Sequence, residues 1–182
     1  ALLKILFKQK LSNLGFNIKN KSIGYSILRK FFIIWTIIIL VFFIYCGFFL
    51  NGFTQYIKRL YPLQIEQIIS KYAIELLLII ALGEEPIFRA FATQQLEKNW
   101  KHTIKIGKIE ITYIVIISSI IFMLSHINYE LIPFRIIYID PIKLLLNLVF
   151  GFFLAYVFER TRSIFYTTIA HAYSNTLIYT LS

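Results

Sequence analysis

Three groups of ionisable and polar residues interrupt apolar segments of the sequence. They are Glu84-Glu85-x-x-x-Arg89, Phe122-x-x-x-His126 and His171-x-x-x-Asn175. A spacing of four residues places two side chains on the same face of a helix. Because ionisable groups are costly in an apolar span, these residues are candidates for a functional site.

The first group contains two carboxylates for which the helical spacing predicts different roles. Glu85 and Arg89 are four residues apart with the acid first, the favourable order for an ion pair on a helix. Glu84 points about 100° away and has no partner on the same helix. A carboxylate in an apolar site is a better general base near neutral pH, so Glu84 could do chemistry while Arg89 holds Glu85. The alternative is a salt-bridged patch at an interfacial helix end.

The two histidine pairs are each open to two interpretations. His126 could take part in proton transfer, or it could be a hydrogen-bonded structural residue at the end of a helix. His171 and Asn175 could both donate hydrogen bonds to one point, as an oxyanion site requires. They could equally form a polar contact between membrane helices. The third histidine, His102, lies in a basic loop and is expected at the surface.

The composition indicates that the elements carrying these residues are membrane helices. The chain has 182 residues, of which 58% are hydrophobic and 15% are charged. Its mean hydropathy is +0.71. Soluble domains are about 45–50% apolar and about 25% charged, so the composition excludes a disordered chain and argues against a soluble enzyme. The net charge of +10 argues for basic membrane loops rather than a nucleic-acid partner in so apolar a chain.

We predict an all-α fold, a polytopic transmembrane bundle of five to six membrane helices or re-entrant segments. Residues 1–30 are predicted to form a basic juxtamembrane arm on the lipid surface, and residues 31–182 a single transmembrane domain. The predicted spans are residues 31–50, 67–98 with a kink at Pro86, 111–125, 142–158 and 164–181. The apolar run 131–139 is too short to cross a bilayer and is predicted to be re-entrant or interfacial.

The distribution of basic residues predicts the orientation of these spans. Fourteen of the nineteen Lys and Arg residues fall on the same side as the N-terminus. Because cytoplasmic loops carry an excess of Lys and Arg, the N-terminus is expected in the cytoplasm. We expect an integral protein of the plasma membrane. The single cysteine, Cys46, allows no intrachain disulfide.

The three motifs, taken together and in this order, resemble those of the CAAX protease and bacteriocin-processing family, also called the Abi family. Its members are multi-span α-helical membrane proteins that act as intramembrane endopeptidases. The resemblance covers residues 84–175, and every motif position matches. Ala90 stands where many members have Gly, a mild departure.

The resemblance implies hydrolysis of a peptide bond in a membrane-associated or lipidated peptide or protein. Glu84 and His126 would activate a water, and His171 with Asn175 would stabilise the oxyanion. The supporting residues that would hold the motifs in shape are Glu85, Arg89 and Phe122.

The same resemblance leaves the cofactor open, because the family has also been described as metalloproteases. We expect no cofactor, with zinc bound by Glu84, His126 and His171 as the alternative. The chain has no His-Glu-x-x-His segment, so the usual zinc signature on one helix is absent.

Two other functions compete with proteolysis. A non-catalytic immunity or regulatory protein could keep the same fold and motifs. A transporter could use membrane carboxylates and histidines as a proton relay, although transporters usually carry internal repeats and none is evident.

Straight spans would separate the proposed catalytic residues. They place Glu84 towards the cytoplasmic half and His126 near the opposite end of its span. The Pro86 kink, helix tilt or a buried segment at 131–139 must bring them together if both act on one water.

Overall fold

The chain is described by a computed structural model, which covers residues 11–49, 55, 81–100, 102–107 and 109–181. These residues form five main helices: α1 (Lys21–Phe49), α2 (the consecutive segments Ala81–Glu85, Pro86–Thr93 and Gln94–Glu97), α3 (Tyr113–Leu124), α4 (Pro141–Thr161) and α5 (Ile164–Leu181). A 3-10 helix at Leu11–Leu14 precedes α1. Residues 1–10 of the predicted arm and residues 67–80 of the predicted second span lie outside the described residues.

The positions of the long helices α1, α4 and α5 agree with predicted spans better than that of the short helix α3 does. Among the described residues, α1 and α4 are long and apolar enough to cross a bilayer. α1 begins at Lys21, within the predicted arm. α5 has the predicted bounds. The straight span expected at 111–125 is not found, because α3 has only 12 residues and a crossing needs about 20.

Two β-hairpins modify the all-α prediction. The first, between β1 (Thr103–Ile106) and β2 (Ile109–Thr112), lies where a basic loop was expected. Lys105 pairs with Glu110 across the strands, and Gly107 adopts φ +61° in the turn. The alternation of polar and β-branched residues over 103–106 is typical of a short strand. The prediction of a loop relied on the basic residues of this segment and not on that alternation.

The second hairpin lies over the apolar run 131–139 and directly follows His126. β3 (Asn128–Leu131) pairs with β4 (Phe134–Tyr138) in antiparallel register. Aromatic and β-branched residues favour strands, and Pro133 stands in the turn, where no ladder N–H is required. Apolar side chains such as Ile132 and Phe134 are largely exposed. The hairpin makes α3 and α4 antiparallel neighbours.

The main core lies between α1, α3, α4 and α5 and is rich in aromatic residues. Phe31 stacks on Phe153 with ring centroids 4.0 Å apart. The Trp35 indole N–H donates to the Ser174 hydroxyl over 2.9 Å, which satisfies the polar edge of a buried ring. The buried residues of this core are Leu28, Phe31, Trp35, Ile39, Phe122, Phe150, Leu154, Val157, Tyr166 and Ala170.

One end of the bundle collects the N-terminal segment, the end of α2 and the α4–α5 turn. The Asn17 side-chain N–H donates to the Arg162 carbonyl over 2.9 Å. The Gln94 amide donates to the Asn13 carbonyl over 2.9 Å. These segments are among those that the charge count placed on one side of the membrane. The side to which this end points stays a prediction.

Candidate active site

The two carboxylates of the first motif lie where α2 changes helix type. Pro86 begins a π-helical segment, Pro86–Thr93, in which the Thr93 hydroxyl donates to the Phe88 carbonyl over 3.1 Å. Pro has no N–H to continue the α-helical pattern, so the Leu82 carbonyl loses that partner. The kink predicted at Pro86 is therefore found as a π-helical segment. Short π-helical segments within α-helices are frequent at functional sites.

Glu85 and Arg89 form the ion pair that their spacing predicts. Arg89 Nε lies 3.2 Å from Glu85 Oε2, and both side chains are fully buried. Arg89 Nη1 also donates to the Ser118 hydroxyl over 3.1 Å, and its Cζ lies 5.0 Å from the centroid of the Phe122 ring. Sequence reasoning missed Ser118, although its place one turn before Phe122 could have indicated it.

His171 connects the two carboxylates of α2. Its Nδ1 lies 2.9 Å from Glu85 Oε1, and its Nε2 lies 4.0 Å from Glu84 Oε2. The ring is buried and meets Phe150 edge to face, with centroids 5.3 Å apart. The motif pairing of His171 with Asn175 gave no indication of this contact with α2.

Glu84 has the carboxylate that Arg89 does not hold. Its Oε2 is buried and has no hydrogen-bond partner among the described residues, while the side chain as a whole is 32% exposed. Glu85 is thus held by Arg89, as the spacing predicts, whereas Glu84 makes the longer 4.0 Å contact with His171. A buried, unpaired carboxylate oxygen is costly unless something binds it, so it marks a place for water or substrate.

His126 lies just beyond the end of α3, with its ring against Phe122. Its Nδ1 lies 2.8 Å from the Phe122 carbonyl, which can only accept, so Nδ1 carries the proton. In the neutral ring, Nε2 is then unprotonated and can accept one. The centroids of the two rings are 4.7 Å apart. The Phe122 ring also lies 5.9 Å from the His171 ring, so His126 and His171 border the same aromatic side chain.

Asn175, the last of the predicted site residues, follows His171 on α5. It is half-buried on α5, one turn beyond His171. Its side chain makes no hydrogen bond to any residue in the described part of the chain. Its role in an oxyanion site stays a prediction.

Phe122 has little room on the side of α4. A Cβ built on Gly151 would lie 2.9 Å from Phe122 Cδ1. Phe122 in turn contacts Arg89 and the His126 ring. Because Gly151 has no side chain, Phe122 can take the position in which it contacts Arg89 and His126.

We expect Gly151→Ala to displace Phe122 and to lower the free energy of unfolding by about 1–3 kcal/mol. The measurement is the thermal unfolding midpoint of the purified protein in detergent, followed by tryptophan fluorescence. Gly47→Ala in α1 is the matched control, since a Cβ at Gly47 meets nothing within 4 Å. Equal midpoints for the two variants would contradict the packing argument.

The zinc alternative stays a prediction beside the metal-free one. Among the described residues, no three His, Cys, Asp or Glu side chains are grouped so that they could hold a metal ion. The Nδ1 atoms of His126 and His171 are bonded to the Phe122 carbonyl and to Glu85, which leaves their Nε2 atoms as those that could bind a water or a metal. No step of the mechanism below passes through a metal.

Comparison with known proteins gives one family. The model of the type II CAAX prenyl endopeptidase Rce1-like family matches residues 67–177, well over half of the chain and all three motifs. No curated protein and no solved structure matches the chain. The resemblance inferred from the motifs and the family match agree, and they cover the residues that meet in the buried cluster. The chain therefore belongs to the Rce1-like family of type II CAAX prenyl endopeptidases, which are membrane peptidases.

Proposed function

We propose that this chain is an intramembrane endopeptidase that uses Glu84 and His126 to activate a water. The observation that carries the proposal is the difference between the two adjacent carboxylates. Glu85 is bonded to Arg89 and His171, whereas Glu84 Oε2 is buried and makes no hydrogen bond to a described residue. A general base needs such an available atom within reach of the proton that it removes.

In this proposal Glu84 transfers the protons of the reaction. Its carboxylate accepts a proton from the water, whose oxygen attacks the carbonyl carbon of the scissile peptide. The unprotonated Nε2 of His126 accepts the second hydrogen bond of that water and so orients it. When the tetrahedral intermediate breaks down, protonated Glu84 returns the proton to the leaving amine.

His171 and Asn175 stabilise the negative charge that develops on the carbonyl oxygen. With both ring nitrogens protonated, His171 donates Nδ1–H to Glu85 and directs Nε2–H towards the oxyanion. Arg89 and protonated His171 then balance the charges of Glu84 and Glu85. Such a balance supports the proposal, because an uncompensated charge in an apolar site costs several kcal/mol.

The substrate that we propose is a membrane-associated or lipidated peptide or protein, cut in the bilayer. We also propose that the protein lies in the plasma membrane with its N-terminus in the cytoplasm. Mass spectrometry of membranes from cells with the wild-type protein or the Glu84→Gln variant tests the activity and names the substrate. The proposal expects an uncleaved precursor with the variant, and identical peptide profiles would contradict it.

We expect metal chelators to leave the activity unchanged. After treatment with 1,10-phenanthroline or EDTA, the initial cleavage rate should stay within about twofold of the untreated rate, because the proposed mechanism uses protein groups alone. The measurement is the rate in proteoliposomes before and after treatment. Loss of activity that is restored by added zinc would contradict the metal-free proposal and support the zinc alternative.

A further inference from the structure

Asn147, in the second turn of α4, has a buried amide nitrogen that the mechanism above does not use. Its Nδ2 is buried and has no hydrogen-bond partner among the described residues. A buried N–H donor without an acceptor is destabilising, and few such groups occur in native proteins. An unpartnered donor of this kind indicates a function when it lies beside a site.

The register of α3 against α4 locates Asn147 relative to His126. The two helices are antiparallel, because Arg160 near the end of α4 bonds the Glu110 carbonyl on β2, just before α3, and Gly151 lies against Phe122 near the end of α3. His126 follows Phe122 by four residues, just beyond the end of α3, with its ring against Phe122. Asn147 lies one turn before Gly151 on α4, so it lies towards the same end of the helix pair as His126.

A second observation on α4 agrees with this register. Lys143, one turn before Asn147, interacts electrostatically with the His126 ring. Asn147 thus lies on α4 between Lys143 and the glycine that touches Phe122. The face of α4 that carries Lys143, Asn147 and Gly151 therefore borders the proposed catalytic site.

We propose that Asn147 is a substrate-binding residue, whose amide N–H donates a hydrogen bond to a backbone carbonyl of the peptide held beside His126. The assignment rests on the proposed function, since it needs a peptide in this site. A peptide in a membrane site has backbone carbonyl groups that bulk water does not reach and that need hydrogen-bond donors. The buried N–H of Asn147 could be such a donor. The bond forms with the bound substrate and holds it in register.

The test compares cleavage kinetics with stability for Asn147→Leu and Asn147→Asp. The probe is an internally quenched, farnesylated peptide that ends in a CAAX sequence, in phosphatidylcholine vesicles. We expect KM to rise about threefold to tenfold in both variants with kcat little changed, the signature of lost substrate binding. The unfolding midpoint of Asn147→Leu should be equal to the wild-type value or higher. Leu145→Ala, at an exposed position of the same helix, is the control expected to behave as wild type.

A peptide series locates the carbonyl that accepts the bond. Replacing one amide at a time by an alkene should weaken wild-type binding at one position, and Asn147→Leu should show no further loss there. Unchanged KM in both variants, or a lower midpoint with a proportional loss of activity, would overturn the proposal. If Glu84→Gln cleaves the probe normally, the proposed function fails instead, so the two failures are distinguishable.

Discussion

Replacing Glu84 by Gln is expected to lower kcat for peptide cleavage by about 10²- to 10⁴-fold, the usual contribution of a general base. Gln keeps the size and the hydrogen-bonding shape of the side chain but cannot accept the proton of the water. Because Glu84 Oε2 makes no hydrogen bond to a described residue, the substitution removes only the 4.0 Å contact with His171 Nε2 at that atom. The unfolding midpoint should therefore stay near the wild-type value. The measurement is the initial cleavage rate in proteoliposomes beside a thermal unfolding curve.

The neighbouring carboxylate provides the matched control for this prediction. Glu85→Gln weakens the bonds to Arg89 and His171, so we expect it to lower both the unfolding midpoint and the activity. Their different contacts predict that Glu84→Gln loses activity but keeps its stability. Glu85→Gln should lose both activity and stability. If the two variants behave alike, the division of roles between the carboxylates is wrong.

Replacing Arg89 by Met is expected to lower the free energy of unfolding by about 3–5 kcal/mol. Arg89 is fully buried, and Met fills much of the same space without charge. The change leaves the buried Glu85 carboxylate with His171 as its remaining ionisable partner and leaves the Ser118 hydroxyl without the Arg89 donor. The large effect comes from the uncompensated charge, because desolvation of one carboxylate is no longer offset. Unfolding in a denaturing detergent series measures the change.

The double variant Glu85→Gln with Arg89→Met separates charge from packing. Removing both charges should recover more than half of the stability that Arg89→Met alone loses, since no buried ion remains unpaired. No recovery in the double variant would mean that the shape of Arg89 against Phe122, rather than its charge, stabilises the cluster.

The local part of this arrangement could be predicted from the sequence. The ion pair of Glu85 with Arg89, and the contact between Phe122 and His126, each join residues four apart on one turn. α5 could be bounded because its apolar run is long enough to show helical periodicity. Such signals are carried by neighbouring residues, so one sequence is sufficient to detect them.

The contacts that assemble the cluster could not be predicted in this way. His171 and Glu85 are 86 residues apart, and no periodicity shows which helices will be neighbours. Ser118 is a small polar residue whose partner, Arg89, lies on another helix. The two hairpins were missed because their strands have only four or five residues, too few for alternation to stand out from a loop.

One measurement tests the central claim most directly: a single turnover of the farnesylated CAAX peptide by purified protein in water labelled with ¹⁸O, followed by mass spectrometry of both product peptides. Direct attack by a water that Glu84 activates predicts one ¹⁸O atom in the new carboxylate and no product from Glu84→Gln within the same time. Cleavage by Glu84→Gln at the wild-type rate would contradict the claim. So would a first-turnover product without the label, since its oxygen must then come from the protein.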